Sequence, residues 1–225
     1  MKKVVITQRI DYIDNYGETR ESIDQALAEW LIQADFLPVP ISNKLVILNN
    51  DEDSGDIKQN LLEKWLSLIQ PNAILLSGGN DIGQYPARDQ TEKFLLKWAY
   101  NNVIPVLGIC RGMQMMVVWA GGKLSPIKNH VSTRHQLNIC GSSDNWPNEV
   151  NSYHQLGLIN CPPDYDVKAH TDDKVIEAIR HKKLPWDGWM WHPERENPFT
   201  YKDNYRLKAL FNNIDTNTCN NCNRQ

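Results

Sequence analysis

Short, almost unbroken apolar runs alternate with longer segments of helical period in the first half of the chain. The runs are residues 3–7 (KVVIT), 45–48 (LVIL), 73–76 (AILL) and 103–109 (VIPVLGI). A strand that is apolar on both faces must be covered on both faces. With helices between the strands, that means a mostly parallel central sheet flanked by helices, an α/β architecture. The helical segments are residues 21–36, with Ile23, Leu27, Trp30, Leu31 and Ala34 at helical spacing, then 57–69, 91–101 and 113–120. Pro71 stops the second of these. In open sheets of this kind the ligand site lies beyond the carboxyl ends of the strands. Ser77-Gly78-Gly79 and Cys110 both fall at such ends.

The second half is less regular. Residues 121–147 are rich in turn formers, residues 165–169, 175–179 and 188–191 read as short strands of a small antiparallel section, and 199–214 as a closing helix. A single domain over residues 1–214 is expected, with 215–225 as a loose, Asn-rich tail. Lys and Arg number 24 against 27 Asp and Glu, a formal charge of −3. Such balance gives no broad polyanion-binding surface, so nucleic acid is set aside as a partner. The apolar start stops at Thr7-Gln8-Arg9 and no run is long enough to span a bilayer, so neither a leader nor a membrane partner is expected. Five cysteines are too few and too odd in number for a disulfide scaffold, which points to reduced thiols and a cytoplasmic location.

One cysteine stands apart. Gly108-Ile109-Cys110-Arg111-Gly112 has the form G-x-nucleophile-x-G between an expected strand and an expected helix. On such a turn only small residues two positions away let strand and helix approach. The helix N-terminus then points free N–H groups at the sulfur and favours the thiolate, with the N–H of Arg111 placed as an oxyanion donor. A nucleophilic cysteine needs a base. His192, after the apolar run of Trp189-Met190-Trp191, is followed by Pro193 and then Glu194, a carboxylate able to fix the imidazole tautomer.

Gly108-Ile109-Cys110-Arg111-Gly112-Met113-Gln114 with Trp191-His192-Pro193-Glu194 resembles the class I glutamine amidotransferase superfamily, and within it the stand-alone γ-glutamyl hydrolase branch. Ser77-Gly78-Gly79-Asn80-Asp81, Arg88-Asp89 and Val150-Asn151-Ser152-Tyr153-His154-Gln155 extend the likeness over roughly residues 3–212. The resemblance implies a flavodoxin-like three-layer fold. It implies Cys110 as nucleophile, His192 as base and Glu194 as orienting acid, with the oxyanion hole from Gly79 and Arg111. It implies substrate contacts from Gly78, Arg88, Gln114, Ser152 and Tyr153, leaving His154 without an assigned role. The implied ligand is a small γ-glutamyl molecule, with no metal and no cofactor required. Met190 departs from the pattern, which often has Gln there. The same superfamily also contains glutaminase subunits that pass ammonia to a separate synthetase. Oligomeric state has no signature in the sequence.

Three rival readings use the same residues. His192-Pro193-Glu194 with Cys219-Asn220-Asn221-Cys222 suggests a zinc deaminase, but the pair lacks the preceding proline and a following helix, and Cys110 stays unexplained. An α/β-hydrolase would place the acid before the histidine, whereas Glu194 follows it. A non-catalytic binding module would have little use for intact Cys110, His192 and Glu194. The eight tryptophans suit either base stacking or core packing.

Overall fold

The computed structural model describes residues 1–46, 60–141, 145–158 and 160–213. Its strands and helices run β1 (Lys2–Thr7), β2 (Arg9–Ile13), β3 (Glu18–Ser22), α1 (Gln25–Gln33), β4 (Phe36–Ile41), α2 (Asn60–Ile69), β5 (Ala73–Leu76), α3 (Pro86–Asn102), β6 (Val106–Ile109) and α4 (Arg111–Trp119). They continue with β7 (Ser125–Pro126), β8 (Val131–Gln136), β9 (Asn138–Ile139), β10 (Glu149–Tyr153), β11 (Leu156–Gly157), β12 (Tyr165–His170), β13 (Ile176–His181), β14 (Trp186–Trp189) and α5 (Tyr201–Phe211).

The main sheet has the order β4-β1-β5-β6-β14-β13-β12-β9. The pairings from β4 through β14 are parallel, and those of β13, β12 and β9 antiparallel. Successive residues of the buried strands sort onto opposite faces, as the period of two requires. Val4, Ile6, Leu75, Leu107 and Ile109 pack with Leu27, Trp30, Leu31, Leu207 and Phe211 on one side. Val5, Ile74, Leu76 and Val106 pack with Leu62, Leu66, Leu95, Leu96, Met113 and Met116 on the other. This is the expected three-layer arrangement. Trp30, Trp186, Trp189 and Trp191 are fully buried, so these tryptophans are core and not base-stacking platforms.

The structure corrects several boundaries. The helix expected over 21–36 is only Gln25–Gln33, with β3 before it and β4 after it. Pro38 and Pro40 mask β4 in the sequence. They are tolerated because β4 is an edge strand, where alternate N–H groups have no ladder partner to lose. Leu45, expected to begin a strand, ends a short 3₁₀ turn instead, and residues 47–48 lie outside the described set. α3 begins at Pro86, five residues before its apolar period becomes visible. The polar hairpin of β2 and β3 has no counterpart among the sequence expectations. The tail at 215–225, with Cys219 and Cys222, lies outside the described residues.

Candidate active site

Cys110 follows β6 directly and precedes α4, with φ 50° and ψ −107°. A non-glycine residue in such a backbone region costs about 1–3 kcal/mol and persists only where its surroundings impose it. Here the flanking glycines permit the close strand–helix approach that holds the turn. A Cβ on Gly108 would lie 2.6 Å from the Gly112 carbonyl carbon, and one on Gly112 would lie 2.1 Å from the Leu76 carbonyl oxygen. The Cys110 N–H donates to Trp189 O at 2.7 Å, which ties the turn to β14.

That tie also explains the position of His192. Strand β14 runs beside β6 with Gly188 opposite Gly108 and Trp189 opposite Ile109. The chain therefore leaves both strands at the same level, and three residues later His192 stands by the cysteine turn. His192 Nδ1 lies 2.6 Å from Glu194 Oε1, across a 3₁₀ turn that opens at Pro193. Burial alone would lower the basicity of this imidazole. Hydrogen bonding to Cys110 and to Glu194 outweighs it and raises the His192 pKa to about 9. By contrast, burial pushes the Cys161 thiol up to about 11, which leaves it inert at neutral pH.

Asn151 holds the backbone of His192 from both sides. Its Oδ1 accepts from the His192 N–H at 2.9 Å, and its Nδ2 donates to the His192 carbonyl at 2.8 Å and to Glu196 Oε1 at 2.7 Å. The sequence motif contains Asn151 but gives it no role; only the fold shows its amide fully used.

The loop after β5 forms the opposite wall. A Cβ on Gly78 would come within 2.7 Å of His192 Cε1, so Gly78 makes room for the imidazole more directly than for a ligand. Gly79 has φ +100°, a left-handed conformation suited to glycine. Arg88 is completely buried, and its guanidinium is spent on the protein. It donates to Ser77 O and Gly78 O at 2.8 Å each, and to Glu92 at 3.1 Å. Burial lowers its pKa to about 10, with Glu92 opposing the shift, so it remains a cation. Arg88, expected as a substrate contact, thus braces the loop with a guanidinium that has no exposed face. The Arg111 side chain is likewise buried against Asp89 and Glu92, which leaves only its backbone facing the cysteine turn.

The remaining expected ligand contacts divide. Gln114 donates to Leu156 O at 2.9 Å and approaches Met190 Sδ at 4.0 Å, so the residue that departs from the family pattern sits against this amide. Ser152 is fully buried, and its hydroxyl donates to His130 O at 2.7 Å, which makes it a structural anchor here. Tyr153 is 42% exposed and stands edge-on to His192, 5.8 Å between ring centroids. The Arg195 guanidinium lies over the Tyr153 ring, 4.5 Å from its centroid. A cleft of about 270 Å³ is bounded by Ser77, Gly78 and Gly79, by His192 and Glu194, and by Arg9 and Arg195. It reaches His192 and not the sulfur itself, as Cys110 is 7% exposed. Arg9 and Arg195 are cations that sequence reasoning missed, Arg9 because it belongs to the polar hairpin.

This architecture is that of glutamine amidotransferases. The glutaminase domain of Trypanosoma brucei CTPS with bound acivicin superposes with a TM-score of 0.69 at 13% identity, over 96% of this chain and 95% of that one. A glutamine amidotransferase from Thermotoga maritima gives 0.60 at 14% identity, over 96% and 87%. The Peptidase C26 family model matches residues 58–194, and the chain belongs to this class I glutamine amidotransferase-like hydrolase family. Among curated relatives, the γ-glutamyl-CDP-amidate hydrolase of Campylobacter jejuni is 32% identical over 204 residues, 85% of this chain and 90% of that protein. A glutamine-hydrolysing GMP synthase subunit from Methanocaldococcus jannaschii is 30% identical over 138 residues, 59% of this chain and 70% of that one. No helix among the described residues is long and apolar enough to cross a membrane.

Proposed function

We propose that the protein hydrolyses a γ-glutamyl amide through a thioester on Cys110, and that its substrate is γ-glutamyl-CDP-amidate. The observation that carries the reaction is Cys110 on a strained strand–helix turn beside a His192 already oriented by Glu194. In the first step the Cys110 thiolate adds to the γ-carbonyl carbon. The oxyanion is met by the N–H groups of Gly79 and Arg111. The C–N bond then breaks as the His192 imidazolium protonates the departing nitrogen, leaving a γ-glutamyl thioester. In the second step neutral His192 takes a proton from water, and the hydroxide equivalent displaces the thiolate. Glutamate and cytidine diphosphoramidate are the products.

The substrate rests on the similarity to the Campylobacter enzyme over most of both chains. The cleft is consistent with it. Its roughly 270 Å³ suits a glutamyl-sized group, while Arg195 supplies a cation along it for a diphosphate, with Arg9 shared with Asp11 at 2.8 Å. Arg88 and Arg111 cannot serve there.

A glutaminase that feeds ammonia to a separate synthetase is the second reading, favoured by the match to the GMP synthase subunit from Methanocaldococcus. Steady-state assays with γ-glutamyl-CDP-amidate and with glutamine separate the two. The proposal predicts a kcat/KM for the amidate at least a hundredfold above that for glutamine. Faster turnover of glutamine refutes the substrate, and undiminished turnover by Cys110→Ala refutes the mechanism.

A further inference from the structure

We propose that His130, His154 and Glu177 form a buried divalent-cation site, best suited to zinc, that fastens the β8–β10 pair to β13 behind the cysteine site. Such a site stands or falls independently of the substrate and mechanism proposed above.

The three side chains come from different parts of the chain: the segment before β8, the residue after β10, and β13. All are buried, at 1%, 3% and 0% exposure. Their inner atoms converge. His130 Nδ1 and His154 Nε2 each lie 3.3 Å from Glu177 Oε1, and all three donor atoms fall within 4.8 Å of one another. A tetrahedral zinc with Zn–N of about 2.0–2.1 Å and Zn–O of about 2.0–2.2 Å has ligand–ligand edges of roughly 3.3–3.5 Å. Two of the observed edges already have that length.

Despite the proximity, none of these inner atoms finds a hydrogen-bond partner of acceptable geometry among the described residues. That holds for His130 Nδ1, His154 Nε2 and both Glu177 carboxylate oxygens. Apart from the two 3.3 Å ion-pair contacts among themselves, these four buried atoms have no other polar partner among the described residues, which a shared ligand would explain. The outer nitrogens, in contrast, are engaged. His130 Nε2 lies 3.1 Å from Asp173 Oδ2, and His154 Nδ1 lies 3.1 Å from Leu156 O. A backbone carbonyl can only accept, so His154 donates from Nδ1, which leaves Nε2 as the nitrogen facing Glu177. The Asp173–His130 contact is the carboxylate–histidine pairing that orients metal ligands. His135, whose ring centroid is 4.1 Å from that of His130, also holds an unpartnered buried Nε2, but its nitrogens do not join the three-atom cluster, which leaves the fourth position to water. Two imidazoles and one carboxylate suit zinc better than magnesium or calcium, which prefer oxygen.

The site would act on the cysteine centre by position. Strand β10 also carries Asn151, which holds the backbone of His192, and Tyr153, which packs against its ring.

The test uses untagged protein with Cys110, Cys140, Cys161, Cys219 and Cys222 each replaced by Ser, so that thiols cannot compete for metal. After equilibration with zinc chloride and removal of free metal, elemental analysis should find about one zinc per chain. Cobalt should give the intense visible bands of a tetrahedral site, and zinc should raise the thermal midpoint. His154→Gln and Glu177→Gln, checked for folding by circular dichroism, should each bind at least tenfold less zinc. Absence of zinc binding by the parent, an octahedral cobalt spectrum, or full zinc retention by folded variants would overturn the proposal. The parent's stoichiometry and cobalt spectrum decide it even where the variants do not fold.

Discussion

Gly78→Ala isolates the placement of the imidazole from every other feature of the site. The φ of Gly78 lies outside the left-handed region, so alanine brings no backbone strain. Its Cβ would nonetheless stand 2.7 Å from His192 Cε1, whereas carbon atoms in contact rest at about 3.5–4.0 Å. The ring must therefore be displaced by roughly 1 Å from the position it holds between Gly78 and Cys110. Misplacement on that scale costs about 100-fold in rate, equivalent to ~2.7 kcal/mol of barrier. His192 is buried and held by Asn151 and Glu194, so the crowding should also lower stability, by about 1–3 kcal/mol, which the melting curve reads separately from the rate. Steady-state kinetics with the glutamyl amide and a melting curve on the same preparation suffice. A variant with kcat within threefold of the parent and an unchanged melting curve would refute the view that this imidazole position is needed.

The raised pKa of His192 means that folding favours its protonated form. The resulting stability is complete below about 6.5 and is lost as pH rises through about 9; Glu194→Gln should flatten that loss in pH-dependent denaturation, and an unchanged slope would exclude Glu194 as a cause. Because protonated His192 delivers the proton to the leaving nitrogen, kcat/KM should fall along a basic limb near 9, and a limb near 6.5 would contradict the assignment. Glu92→Leu removes the carboxylate shared by the buried guanidiniums of Arg88 and Arg111, leaving Asp89 and the Ser77 and Gly78 carbonyls, and should cost about 3–5 kcal/mol by urea unfolding; a loss under about 1 kcal/mol would show that the cluster is not held as described. Arg195→Ala should raise KM for γ-glutamyl-CDP-amidate several-fold more than for glutamine, and equal effects would remove it as a diphosphate contact.

The cysteine turn was legible because its determinants are local. Gly108 and Gly112 exclude side chains within five residues of sequence, and the strand and helix on either side announce themselves by their periods. The His192–Glu194 pair was legible for the same reason: two residues joined by a stiff proline. What escaped was set by distant partners. Arg88 looks like a free cation in sequence, and only the fold shows the Ser77 and Gly78 carbonyls and Glu92 closing around it. Strand β4 was lost behind two prolines that an edge position tolerates. The β2–β3 hairpin is polar and mostly exposed, so it carries no hydrophobic period to read, yet it delivers Arg9 to the cleft. His154 had a recognisable place in a motif, but only the fold shows that His130 and Glu177 lie beside it.

In the proposed reaction Cys110 carries the γ-glutamyl group between two half-reactions. Rapid-quench intact-mass spectrometry tests it most directly. Protein mixed with γ-glutamyl-CDP-amidate and stopped in acid within one turnover should gain the mass of one γ-glutamyl residue. Peptide mapping should place that residue on Cys110, and hydroxylamine should remove it. Substrate turnover with no adduct in this window, or an adduct on any other residue, would contradict the account.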